Sequence, residues 1–162
     1  MADQPNAGGP GSAVPVQVRI VGQYVKDLSF ESPNVVKFMT SQPENPNLNL
    51  ELNVVPSKVG ADVYESALSF KAQATSKAGI IYDLEVEYAG LFEIKGAPPE
   101  MLDQMLHINC PSMLFPFLRR LTGDLTREGG FPPLFLDPVD FAALYFKKRE
   151  QLAKSPTSSK PS

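Results

Sequence analysis

Apolar and polar residues alternate in four stretches of the first hundred residues. Leu48, Leu50, Leu52 and Val54 alternate with Asn47, Asn49, Glu51 and Asn53, and Val16, Val18 and Ile20 alternate with Gln17 and Arg19. Tyr64, Leu68, Phe70, Ala72 and Ala74 mark one side of a third stretch, and Ile80, Tyr82, Leu84, Val86 and Tyr88 one side of a fourth. Successive side chains of a strand point to opposite faces, so a period of two predicts half-buried β-strands. Ser76-Lys-Ala-Gly79 between the last two reads as a hairpin turn. Short connections predict an antiparallel sheet, because a parallel pair needs a crossover. On the other side of the fourth stretch stand Ile81, Asp83, Glu85 and Glu87. The sheet is therefore expected to have one apolar face and one wet, acidic face; solvation alone accounts for such a row.

The pattern changes after Gly96. Ala97-Pro-Pro-Glu100 suits a helix start, with proline in the first turn and a carboxylate near the positive end of the dipole. Met101, Leu102, Met105, Leu106 and Ile108 follow at helical spacing. From Cys110 to Leu121 the chain is helical in pattern but holds Pro111 and Pro116. An interior proline removes a backbone donor and clashes with the preceding turn, so a broken helix is expected there. Arg127-Glu-Gly-Gly130 is a stop, and Phe131–Leu136 reads as extended and apolar. A last helix is expected with Asp137 as N-cap, Pro138 at its first position and Lys147, Lys148 and Arg149 near its end. It carries two apolar stripes, Val139, Ala142, Ala143 and Phe146 against Phe141, Leu144 and Tyr145. A surface helix needs only one, so the second is expected to be sandwiched or offered to a partner.

Residues 22–46 read as a long connection, more apolar than a solvated loop, with Phe30, Val35, Val36, Phe38 and Met39. Loops of that length in small domains are often functional. Residues 1–14 are rich in Gly, Pro, Ala and Asn and are expected to be disordered; residues 151–162 read as a flexible polar tail. One ordered domain over 15–150 remains.

Composition narrows the function. The net charge is −3 over 162 residues, a poor match to nucleic acid, which needs a basic footprint. A single Cys permits neither an internal disulfide nor a cysteine zinc cluster and suits a reducing compartment. No apolar run is long enough to insert in a membrane. No phosphate loop, dinucleotide fingerprint or nucleophile elbow occurs, and one His does not make a metal site, so neither cofactor nor metal is expected. His107 and Cys110, three apart, are the only candidates for covalent catalysis. A Cys among Ile108, Pro111 and Met113 is more simply a buried small residue. The surplus is apolar surface, with ten Phe and five Met, suited to an oligomer interface or an adaptable binding surface. A carrier of a small apolar ligand and, less well supported, a Cys/His enzyme are the alternatives.

Five segments, in order, tie these features together: Val25-Lys-Asp-Leu-Ser-Phe-Glu-Ser-Pro-Asn34, Ala61-Asp-Val-Tyr-Glu65, Gly90-Leu-Phe-Glu-Ile94, Cys110-Pro-Ser-Met-Leu-Phe-Pro-Phe117 and Gly130-Phe-Pro-Pro-Leu-Phe-Leu-Asp-Pro-Val-Asp-Phe141. With them the chain resembles the SecB family of bacterial protein-export chaperones. The resemblance implies an α+β fold, a four-stranded antiparallel sheet with helices packed on one face, assembling as a dimer of dimers. It implies a cytoplasmic, ATP-independent, non-enzymatic chaperone that binds unfolded precursor proteins and delivers them to the SecA motor. Asp27, Glu31 and Glu85 take the places of the family's SecA-binding carboxylates; Asp83 departs from the apolar residue expected there. The client groove is expected between the long connection and the last helix, at Phe30, Val35, Phe38, Leu144 and Tyr145. Leu114, Phe115, Leu118 and Leu121 are the candidates for the subunit interface. The polar tail after Ala153 matches no family pattern.

Overall fold

A computed structural model describes residues 15–154; the expected disordered segment 1–14, and the expected tail from residue 155 on, lie outside the described residues. The elements run β1 (Gln17–Glu31), α1 (Val35–Thr40), β2 (Asn47–Gly60), β3 (Val63–Ser76), β4 (Gly79–Lys95), α2 (Pro99–Gln104), a π-helical turn (Met105–Asn109), α3 (Cys110–Glu128) and α4 (Phe141–Lys154). The four strands form one antiparallel sheet in the order β1-β4-β3-β2. β4 and β3 are central, and Leu68, Leu84, Val86 and Phe92 from them meet Leu114 and Leu118 of α3 in the fully buried core. Each such side chain contributes about 1.5–3 kcal/mol by leaving water. Gly90 is small because α3 lies close above it: a Cβ there would stand 2.8 Å from Leu114 Cδ2 and 2.7 Å from the Phe92 ring.

β1 is three times longer than its alternation suggests, and most of the expected connection 22–46 is its second half followed by α1. The reason is two β-bulges. The register slips between Ile20 and Gly22 and again between Val25 and Asp27, so Val21 and Lys26 have no partner on β4. Each extra residue reverses the phase of a period-two pattern. Val18, Ile20, Val25, Leu28 and Phe30 therefore share one face although their spacing is irregular. A third bulge corrects the fourth strand: Ile80 opposes Thr75 and Tyr82 opposes Ala74, leaving Ile81 unopposed. Ile81 is buried in the core and not on the wet face with Asp83 and Glu85.

The helical part departs from expectation at its prolines. α3 is one continuous helix through Pro116, and Pro111 sits in its first turn. The irregularity comes earlier, in the π turn, where the Cys110 amide donates to the Met105 carbonyl five residues back. Pro116 is tolerated because it lies on the exposed side of α3, where water can satisfy the freed Ser112 carbonyl. After α3 the chain turns back and runs extended along it. The Leu134 amide donates to Thr126 Oγ1 at 2.8 Å, and Arg119 Nε donates to the Leu136 carbonyl at 2.9 Å. Asp137 and Pro138 belong to this extended run, so they do not start the last helix. Asp140 caps it, accepting from the Ala143 amide at 3.0 Å, and the helix continues past residue 150 to Lys154.

Candidate functional site

The outer face of the sheet is read off its registers. Three rows cross it from β1 to β2: Glu31, Asp83, Gln73, Asn49; then Ser29, Glu85, Lys71, Glu51; then Asp27, Glu87, Ser69, Asn53. Six carboxylates share this area with Lys71. The three docking candidates that the family resemblance implies, Asp27, Glu31 and Glu85, fall together here, one in each row, and all three are exposed. Asp83 adds to them, accepting from Gln73 Nε2 at 2.8 Å, and lies opposite Glu31. The Lys71–Glu85 pair is loose, 3.8 Å with both side chains more than half exposed, and neutralises little. This patch can attract a basic protein surface, most strongly at low salt.

Below the acidic rows the outer face changes character. Tyr24 and Lys26 of β1 both reach over β4 to Glu65 of β3, with Lys26 Nζ 2.8 Å from Glu65 Oε1 and the Tyr24 hydroxyl donating to Oε2. Ala89 of β4 lies between them and is wholly buried by this strap, as is Ala67 beside it. The hydrogen bonds from Lys26 and then Tyr24 hold the Glu65 carboxyl below the usual carboxylate range. Burial, with Glu65 adding to it, pushes the Tyr24 phenol up to about 12. The sequence does not show Tyr24 and Lys26 as outward-facing, since the bulge at Lys26 hides which side they face.

The five groove candidates do not converge within one chain. α1 is tied to the β3–β4 turn: Ser32 Oγ donates to the Ile81 carbonyl at 2.8 Å, Asn34 Nδ2 to Ile80 at 3.1 Å and Lys37 Nζ to Ala78 at 3.0 Å. α4 is tied to α2 and the π turn: the Tyr145 hydroxyl donates to Asp103 Oδ2 of α2, and the Tyr145 ring lies 5.2 Å from that of His107 in the turn. That turn sits over Ser66, which donates to the Leu106 carbonyl and lies opposite Gly90. Ten residues of β4 separate Ile80 from Gly90, about 33 Å in a strand. Phe30 stacks on Tyr82 at 5.7 Å, and Phe38 is buried in the core, so neither is an open groove wall. Tyr145 is buried too. Val35 is half-buried, and Leu144, 44% exposed, is the most accessible of the five.

The interface candidates need a similar correction. Leu114 and Leu118 are fully buried against the chain's own sheet, and Phe115 nearly so, leaving only Leu121 partly open. The large apolar residues that α3 leaves exposed are Met113 and Phe117, one turn apart on one flank of the helix. Phe117 stacks on Tyr88 at 6.0 Å. Beyond it the inner face of β1 leaves Val18, Ile20, Val25 and Leu28 between 40 and 43% exposed, and β2 leaves Leu48 and Leu50 exposed. Edge strands this long and apolar are ordinarily covered.

The covalent candidates separate. Cys110 is wholly buried, and burial pushes its thiol up to about 12. His107 Nδ1 turns instead to the Asp103 carbonyl at 2.8 Å. A cleft of about 430 Å³ lies between α3 and the extended run and is lined by Phe115, Pro116, Arg119, Arg120, Asp124, Phe135 and Pro138. Arg119 lies over the Phe135 ring at 5.6 Å, so charge borders this cleft. Among the described residues no helix is long and apolar enough to cross a membrane, and no group of His, Cys, Asp and Glu could hold a metal ion.

Comparison with known proteins agrees with this geometry. The family model for preprotein translocase subunit SecB matches residues 12–152. The protein-export protein SecB of Rhodopseudomonas palustris (strain TIE-1) is 40% identical over 155 residues, covering 96% of this chain and 97% of that protein. That of Parvibaculum lavamentivorans is 40% identical over 156 residues, covering 96% and 92%. Among solved structures, a Mycobacterium tuberculosis SecB-like chaperone, in complex with a ChAD peptide from an antitoxin, superposes with a TM-score of 0.60. It is 17% identical and covers 75% of this chain and 90% of that one, a likeness of fold. With a matching model over nearly the whole described body and relatives at 40% identity, the chain belongs to the SecB family of protein-export proteins.

Proposed function

We propose that this protein is an ATP-independent chaperone of protein export. It holds unfolded precursors on apolar surface and hands them to the SecA ATPase through the acidic face of its sheet. The observation that supports this reading best is the division of one sheet into two chemically opposite surfaces. Asp27, Glu31 and Glu85 stand on one side, and exposed apolar residues of β1, β2 and α3 on the other. A partner docked on the first leaves the second free.

The working form is a homotetramer, a dimer of dimers, in the bacterial cytoplasm. Its contacts use Leu121 with the exposed Met113 and Phe117 of α3 and the apolar inner side of β1. Residues 15–150 act as the chaperone domain. Because α1 and α4 lie far apart in one chain, a groove containing both Val35 and Leu144 is built from two subunits. Burying about 1,000 Å² of client apolar surface is worth roughly 25 kcal/mol gross. Ordering the client offsets most of it, so one segment binds weakly and several segments on one assembly bind tightly. Folded proteins, whose apolar segments are hidden, are ignored. Nothing in this cycle uses catalysis by the chain itself.

The test is refolding. A slow-folding precursor diluted from denaturant into an excess of this protein, without nucleotide, is expected to stay unfolded, and addition of SecA to release it. Refolding at the spontaneous rate would overturn the reading.

A further inference from the structure

The strap of Tyr24, Lys26 and Glu65 lies next to the acidic rows, and it contains a cation that could cancel them. Lys26 is the bulged residue immediately before Asp27, and Asp27 lies opposite Glu87. A lysine at that place on the outer face has two sets of carboxylates to choose from. It is held by Glu65, at 2.8 Å, on the side away from Asp27. Glu65 is well placed to win: its side chain is only 14% exposed, and Tyr24 occupies its second oxygen and fixes its orientation. The ammonium of Lys26 is held above its ordinary range by that hydrogen bond first, and the charge of Glu87 acts on it as well.

We infer that Glu65, oriented by Tyr24, is a positioning residue that sequesters Lys26, keeping it from pairing with Asp27 or Glu87 and leaving both carboxylates open to a basic partner. This rests on the reading of the acidic face as the SecA-docking surface. Glu65 itself, half-buried and already paired, is no part of the contact. Removing its charge frees Lys26 to swing about one side-chain length onto Asp27 and Glu87. A cation brought to about 6 Å of two carboxylates cancels enough of their field to weaken a basic partner by about three- to tenfold.

The experiment uses four variants of the full chain, each titrated with SecA and, separately, with an unfolded precursor. Glu65→Gln is expected to lose about three- to tenfold in SecA affinity and to keep precursor affinity. Lys26→Met is expected to bind SecA at least as well as the parent. The double variant, Lys26→Met with Glu65→Gln, is expected to regain what Glu65→Gln lost, which a merely structural role for the strap would not produce. Asp27→Asn is expected to weaken SecA binding directly. A crystal structure of Glu65→Gln, which needs no partner, is expected to show the Lys26 ammonium turned away from residue 65 onto Asp27 or Glu87. A double variant as weak as Glu65→Gln, or a Lys26 that stays beside residue 65 in Glu65→Gln, overturns the inference. Asp27→Asn binding SecA normally overturns the docking reading itself, and with it the functional part of the inference, wherever Lys26 lies in Glu65→Gln.

Discussion

Reversing one charge in the middle acidic row should separate the two surfaces. Glu85 stands between Ser29 and Lys71, and its pair with Lys71 is 3.8 Å long with both side chains more than half exposed. Losing such a pair costs at most about 0.5 kcal/mol, so Glu85→Lys should fold normally. Its thermal midpoint should stay within about 2 °C of the parent. The effect on a docked partner is larger because the substitution changes two units of charge. A basic group about 5 Å away gains or loses about 0.8 kcal/mol per unit in water, so the reversal costs about 1.6 kcal/mol, or roughly 15-fold in affinity. The assay is calorimetric titration of SecA in 0.1 M and 1 M salt, with an unfolded precursor titrated in parallel. At 1 M salt the screening length falls to about 3 Å, and the difference between parent and variant should shrink to about twofold or less. Precursor affinity should not change. Unchanged SecA affinity, a loss independent of salt, or an equal loss for the precursor would refute the reasoning.

Three further outcomes follow from the packing. With its thiol pushed from 9.0 to about 12, Cys110 should react with a thiol reagent at pH 8 about a thousandfold more slowly in the native chain than in urea; equal rates would restore it as a nucleophile. Leu144→Asp should weaken precursor binding while amide protection across α4 holds. Tyr145→Asp, which buries a second carboxylate beside Asp103, should lose that protection as well; protection unchanged in Tyr145→Asp would contradict the anchoring of α4. Gly90→Val should cost about 3 kcal/mol by forcing α3 off the sheet, seen as a fall of roughly 6–12 °C in the thermal midpoint; no fall would mean that α3 is free to retreat from Leu114 onward.

The strands with unbroken alternation were legible in the sequence, and so was the acidic face, because β2, β3 and most of β4 keep a strict period of two. What was hidden lies at the bulges. One extra residue at Lys26 reverses the phase of β1, so Leu28 and Phe30 read as part of an apolar loop when they continue the inner face of the strand. The same residue concealed the strap, since Tyr24 and Lys26 meet Glu65 only when both point outward across a third strand. The bulge at Ile81 misplaced that residue for the same reason. The helix prolines misled in another way. Pro111 falls in a first turn and Pro116 on a wet face, positions where a proline costs little, and a π turn upstream absorbs the irregularity. For the groove the family resemblance supplies a region, and within it, as at the interface, apolar character is the sequence's guide to single residues. That criterion does not distinguish a buried Leu114 or Phe38 from an exposed Phe117, because burial is fixed by which helix face meets the sheet.

The central claim is a multisubunit chaperone that selects unfolded chains, and its most direct test is mass in solution by light scattering, with and without a permanently unfolded protein. The account predicts four copies of the chain alone, one larger species when the unfolded protein is added, and no change with the folded form of the same protein. A monomer, or an assembly that takes up folded and unfolded forms alike, would contradict it.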